Sequence, residues 1–128
     1  MRVDLELPWP PTANTYYRRL VGMKAGKGMR ISERGMLYRR LVGGVVLTQR
    51  AKPFSDLERL TVKVEAYPPD RRRRDLDNLL KSTLDALMHA GLIPDDSQID
   101  DLAIVRRDRR PPSGGLHVTI TDSAEVAP

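Results

Sequence analysis

Hydrophobic and charged positions alternate along RVDLEL, residues 2 to 7, and again along LTVKVEAY, residues 60 to 67. A period of two puts every second side chain on one face of a strand, so both stretches predict half-buried β-strands. Two more strands are predicted at residues 99 to 106, IDDLAIVR, and 116 to 121, LHVTIT, joined through the turn RRPPSGG. Between them and residue 67 the period changes. Leu76, Leu79, Leu80, Leu84, Leu87 and Met88 recur at spacings of three and four, the apolar stripe of a helix running from about Leu76 to Ala90. Gly91 supplies its stop. A second helix is predicted over about residues 32 to 50, capped by Ser32 and weakened at its middle by Gly43 and Gly44. PWPP, residues 8 to 11, and Pro68–Pro69 close the strands before them, because proline cannot donate to a sheet ladder.

The resulting order, β-α-β-α-β-β, defines an α/β fold: a single small domain with one mixed β-sheet, two main helices and no internal repeat. Residues 1 to 122 form that domain, and SAEVAP, 123 to 128, is expected to be a frayed tail. Residues 18 to 30, RRLVGMKAGKGMR, hold three glycines, five basic residues and no acid, and read as a mobile basic loop. A length of 128 residues suits one domain, and 40% hydrophobic with 30% charged residues does not suggest disorder. Lys and Arg outnumber Asp and Glu by 22 to 17, giving a net charge of +5, which is compatible with a nucleic-acid partner without establishing one. The absence of cysteine excludes disulfides, thiolate-held zinc and cysteine nucleophiles, and fits a reducing cytoplasm. No apolar run approaches the roughly 20 residues of a membrane helix. Acids and prolines stand near the N-terminus where a signal peptide has its apolar core, so a soluble cytoplasmic protein is expected.

The chemistry concentrates in RRRRDLDNLLK, residues 71 to 81. Two readings compete. Aspartates favour helix N-termini, where they cap free amides and complement the dipole. Asp77, Lys81 and Asp85 at i, i+4 spacing would then be surface pairs worth about 0.3–0.5 kcal/mol each. Alternatively the D-x-D of Asp75 and Asp77 directs two carboxylates into one pocket, and a second acidic step, Asp95–Asp96, arrives after the helix ends. That helix leads away from Asp77, so the chain would have to return for Asp96 to join them. His89 and His117 are far apart and read as surface or packing residues, and there is no glycine-rich phosphate loop for a nucleotide cofactor. Three converging carboxylates would select a hard cation, Mg²⁺ or Mn²⁺, and the chemistry that follows is phosphodiester hydrolysis.

PPDRRRRDLDNLLKSTLDAL followed by GLIPDDSQIDD resembles the core of the RusA family of Holliday-junction resolvases, and LPWPPTANTYYR, residues 7 to 18, resembles that family's opening segment. The likeness covers roughly residues 3 to 18 and 60 to 121. It implies a homodimeric, Mg²⁺-dependent endodeoxyribonuclease that cuts four-way DNA junctions in recombination and repair, in the cytoplasm of a bacterium or phage-infected cell. It makes Asp75, Asp77 and Asp96 the metal-binding catalytic carboxylates and Lys81 the basic catalytic residue, and leaves open whether Asp95 steers Asp96 or shares the metal.

Arg71, Arg72, Arg73 and Arg74 would engage phosphates beside the cut, with Arg74, next to Asp75, the foremost contact. Asn78 would hydrogen-bond an acid or cap the helix. Asn14, Tyr16, Tyr17, Arg18 and Arg19 form a further candidate DNA surface. Its tyrosines would either stack on unpaired bases or belong to the core. Arg18, Arg19, Lys24, Lys27 and Arg30 would add salt-sensitive phosphate binding. Cutting two strands related by two-fold symmetry implies a C2 dimer, with the apolar faces of the two helices as candidate interfaces. Two alternatives stand beside this: a non-catalytic basic DNA-binding module whose acids only cap helices, and a metal-dependent nuclease for other branched DNA.

Overall fold

The computed structural model describes residues 1–19 and 29–122. Strand β1 (Arg2–Leu7) leads through the proline segment into a single helical turn, α1 (Ala13–Tyr16), then β2 (Tyr17–Arg19) and β3 (Met29–Ile31). Helix α2 (Glu33–Thr48), strand β4 (Leu60–Tyr67) and helix α3 (Asp77–His89) follow. A 3₁₀ turn (Asp96–Gln98) runs into β5 (Ile99–Arg106), and β6 (Gly115–Asp122) completes the domain.

The four long strands form one mixed sheet in the order β1-β6-β4-β5. β6 lies antiparallel between β1 and β4, while β4 and β5 run parallel. A parallel pair needs a crossover, and α3 is that crossover. The alternation read in β4 is the burial observed: Leu60, Val62, Val64 and Ala66 are fully buried, and the residues between them face outward. These meet Val3, Leu5 and Leu7 of β1, Tyr38, Val42 and Val46 of α2, and Leu79, Ala86 and Leu87 of α3 in a single core.

The α/β fold with two main helices is as expected, and boundaries move by one or two residues. Ser32 caps α2 as predicted, its hydroxyl accepting from the Gly35 amide at 3.0 Å. Gly43 and Gly44 do not interrupt that helix, whose buried side is held by its neighbours in the core. Gly91 ends α3 with φ +80°, the left-handed conformation that glycine adopts without steric strain.

Four short elements were not predicted: α1, β2, β3 and the 3₁₀ turn. α1 is too short to show a period. The 3₁₀ turn is equally short. The expected basic loop at 18 to 30 is instead paired at both ends, Tyr17 opposite Ile31 and Arg19 opposite Met29. Its middle, with Lys24 and Lys27, lies outside the described residues, as does the 123–128 tail. Gly35 lets α1 and the ribbon press on α2: a Cβ there would clash with the Tyr16 carbonyl oxygen and lie 2.6 Å from Ile31 Cγ1.

Candidate active site

Asp75 and Asp77 bracket the entry to α3. The capping position is Leu76, which has no side chain able to cap. Neither aspartate caps the helix with its side chain. Asp75 contributes its backbone carbonyl, which accepts from the Asn78 amide at 3.2 Å. Both carboxylates are exposed, and among the described residues neither accepts a hydrogen bond or forms an ion pair. The positive end of the helix dipole lies beside them and eases their like charge.

Lys81 stands one turn further on, exposed, with carboxylates four residues away on either side. It pairs with neither. Its Nζ lies 5.0 Å from the centroid of the Tyr17 ring. Asp85 is instead committed to the protein: it accepts from the Tyr16 hydroxyl, from Arg39 Nη2 at 2.8 Å and from Arg39 Nε at 3.0 Å. Burial, and then Asp85, push the Tyr16 hydroxyl well above its ordinary pKa, so Tyr16 remains a donor. The ring is fully buried, which settles it as a core tyrosine.

The arginine run divides. Arg71, Arg72 and Arg73 are exposed. Arg74, expected to be the foremost DNA contact, is the most enclosed, with its side chain 16% exposed. It forms an ion pair with Asp70 at 2.7 Å, and its guanidinium lies 5.5 Å from the Trp9 ring centroid. The Arg74 side chain beside Asp70 holds that carboxyl down to about 2. Arg106, the last residue of β5, donates to the Arg74 carbonyl at 2.7 Å. Arg74 therefore fixes the loop that carries Asp75, while its three neighbours face solvent.

Thr12, Arg73, Arg74, Asp75, Asn78 and Leu79 line a cavity of about 360 Å³. Asn78 makes no side-chain hydrogen bond among the described residues and borders this cavity. Beside it Ser82, fully buried, donates to the Pro11 carbonyl at 2.8 Å and ties the proline segment that precedes Thr12 to α3. Asn14 is exposed on α1, and Arg18 and Arg19 lie in β2 opposite Arg30 and Met29.

Asp96 is elsewhere. Its amide donates to Met88 Sδ at 3.2 Å, in the last turn of α3. That helix has 13 residues, about 20 Å at ~1.5 Å per residue. One chain thus keeps Asp96 apart from Asp75 and Asp77, and among the described residues no three acidic or histidine side chains group closely enough to hold a metal ion. Asp95 is occupied in shaping the turn. Its carboxylate accepts from the Ser97 amide at 3.0 Å, and its own amide donates to Gln98 Oε1 at 3.0 Å. The Ser97 amide holds the Asp95 carboxyl below its ordinary range. Gln98, buried, also donates to the carbonyls of Ser55 and Glu58, both at 2.8 Å. The acidic turn is thereby latched to the loop before β4.

Sequence reasoning missed Asp70, Trp9, Thr12, Arg39 and the partnering of Asp85. Only Asp70 left a local signal, four residues before Arg74.

A carboxylate pair, a lysine and three outward arginines thus stand exposed at one end of a small α/β domain. Residues 8–121 match the family described as Endodeoxyribonuclease RusA, and the chain belongs to that family. It is similar to the crossover junction endodeoxyribonuclease rusA of Enterobacteria phage HK97, 42% identical over 120 residues and 94% of each chain. The corresponding protein of Enterobacteria phage 82 is 39% identical over 123 residues, 92% of each chain. RusA of Escherichia coli strain K12 is 36% identical over 119 residues, 93% of each. Membership of a nuclease family sets aside the non-catalytic binding module. No helix among the described residues is long and apolar enough to cross a membrane.

Proposed function

We propose that this protein resolves four-way DNA junctions in recombination and repair, acting in the cytoplasm as a homodimer with Asp75, Asp77 and Asp96 as Mg²⁺ ligands. The observation that carries the reading is that Asp75, Asp77 and Lys81 stand exposed and unpaired together, although ordinary ion-pair partners lie within one turn of helix.

The donor set suits a hard cation, since carboxylate oxygens select Mg²⁺ or Mn²⁺. A cation bound there would polarise the scissile phosphate and lower the pKa of an attacking water. Lys81, with its ammonium hydrogens free, offsets the negative charge that develops on the phosphate. Arg71, Arg72 and Arg73 bind neighbouring phosphates without reading bases, so affinity falls steeply with salt. Water adds to phosphorus, the P–O bond of the leaving strand breaks, and the leaving oxygen takes up a proton.

Within one chain the carboxylate set is two plus one, and a second copy supports its completion. β5 is an edge strand with Asp96 three residues before its first residue, Ile99, and the Arg74 carbonyl held at its last. Two β5 strands placed antiparallel about a two-fold axis would lay Asp96 of one copy beside Asp75 and Asp77 of the other. Such an arrangement also gives two sites for two strands.

Mixing tests this on a labelled junction with Mg²⁺. Asp77→Asn and Asp96→Asn should each be inactive alone. Their co-refolded mixture should nick one strand, because the heterodimer contains one site with all three acids. A mixture as inactive as its components, with heterodimers shown to form, would sink the shared site. Full cutting of linear duplex by the wild type would sink the junction preference.

A further inference from the structure

We propose that Tyr17 is the positioning residue for Lys81, its ring face acting as an uncharged cradle that sets where the ammonium group works. The proposal rests on the reading of Lys81 as a group acting on the phosphate.

A lysine carries a point charge on a flexible four-carbon stem, and an exposed one samples many rotamers. Lys81 is exposed, yet its Nζ lies 5.0 Å from the Tyr17 ring centroid. A cation at that distance is attracted by the ring's negative face. The two carboxylates at i−4 and i+4 would hold the ammonium more strongly, but they would occupy its N–H donors. A ring face attracts the charge as a whole and leaves those donors available for a phosphate oxygen.

The cradle is itself anchored. The Tyr17 ring meets the Tyr16 ring edge-on, with centroids 4.8 Å apart and planes at 68°. Tyr16 is fully buried, and its hydroxyl is held by Asp85 of α3 and, at 3.0 Å, by Arg39 of α2. Its carbonyl accepts from the Ser32 amide at 2.9 Å and the Ser32 hydroxyl at 3.0 Å. Asp85 thus works at one remove: it is withdrawn from Lys81 and holds the tyrosine behind the cradle. The Tyr17 hydroxyl makes no hydrogen bond among the described residues, so the ring face is the part in use. This also bears on base stacking, because a base laid on that face would have to displace Lys81.

The experiment is single-turnover cleavage of a four-way junction by the full chain with Mg²⁺, beside junction binding in Ca²⁺ and thermal melting. The variants are Tyr17→Phe, Tyr17→Leu, Lys81→Ala and the double variant Tyr17→Leu/Lys81→Ala. Tyr17→Phe should match wild type within about twofold, since the face is kept. Tyr17→Leu should slow cleavage roughly tenfold with binding unchanged, and the double variant should be no slower than Lys81→Ala alone, because the tyrosine acts through the lysine.

Multiplying losses in the double variant, an equal loss in Tyr17→Phe, or a binding loss that accounts for the rate would each overturn the proposal. An unimpaired Lys81→Ala would overturn the reading of the lysine itself, whereas a slow Lys81→Ala with an unaffected Tyr17→Leu overturns the cradle alone. If Tyr17→Leu fails to fold, the wild type still decides. The ε-methylene protons of Lys81 should carry an upfield ring-current shift that persists in Tyr17→Phe, and its absence in the wild type would end the proposal.

Discussion

Asp77 and Asp85 flank Lys81 at the same spacing on the same helix, and their surroundings are opposite. Asp85 is half-buried and receives hydrogen bonds from a tyrosine and an arginine on two other elements. Asp77 is exposed and receives none among the described residues. The contrast separates a carboxylate that holds the molecule together from one free to act on something else. A charge whose lone pairs are satisfied by the fold contributes to stability. One satisfied only by water contributes little to stability.

Substitution should split the two along different axes. The largest effect belongs to Asp77→Asn: cleavage should fall by roughly 10²–10³, as when one group that stabilises transition-state charge is removed. Urea unfolding should be unchanged within about 0.5 kcal/mol, as for an exposed residue without structural partners. A cleavage-competent Asp77→Asn would erase the contrast. Asp85→Ala should do the reverse. Losing it leaves the Tyr16 hydroxyl and Arg39 without their acceptor, at a cost of about 1–3 kcal/mol read from the urea midpoint. Cleavage by the folded fraction should fall far less than in Asp77→Asn.

The smallest effect sharpens the comparison with a third, more exposed arrangement. On the open face of the sheet, His117 Nδ1 lies 2.6 Å from Glu6 and Nε2 lies 3.0 Å from Asp4. Glu6 foremost, and then Asp4, raise the His117 pKa. The folded state therefore binds that proton more tightly than the unfolded chain. Its stabilisation is fully present below about pH 6.5 and disappears as pH rises through the raised value. His117→Gln should cost under about 1 kcal/mol at pH 6 and nothing at pH 9, since most of the pair is solvated. An equal loss at both pH values would mean that packing, not charge, holds the ring.

The sequence made the scaffold legible where side chains near one another in the chain carry the signal. The strict alternation of β4, the stripe of α3, the Ser32 cap and the Gly91 stop are all local, and all four are observed. The D-x-D and its lysine were legible as a motif. Spacing could not say how they are partnered. At i+4, Lys81 and Asp85 look like a pair, but the acid's actual hydroxyl donor, Tyr16, is 69 residues away. Tyr17 meets Lys81 across a similar separation. Arg74 reads from the sequence as the foremost phosphate contact, and its enclosure by Trp9 and Asp70 has no local signal beyond the spacing to Asp70. Asp96 gave the clearest lesson: a helix of 13 residues cannot bring its two ends together, so acids close in sequence are apart in space within one chain.

The chain's one tryptophan lies against the arginine that fixes the Asp75 loop. Indole emission responds to a nearby guanidinium and to water, so the protein carries its own optical probe at the edge of the cavity that Arg74 and Asp75 line. Titrating Mg²⁺, then junction DNA, while following that emission would time the settling of the loop against strand scission, without a dye and without altering a residue.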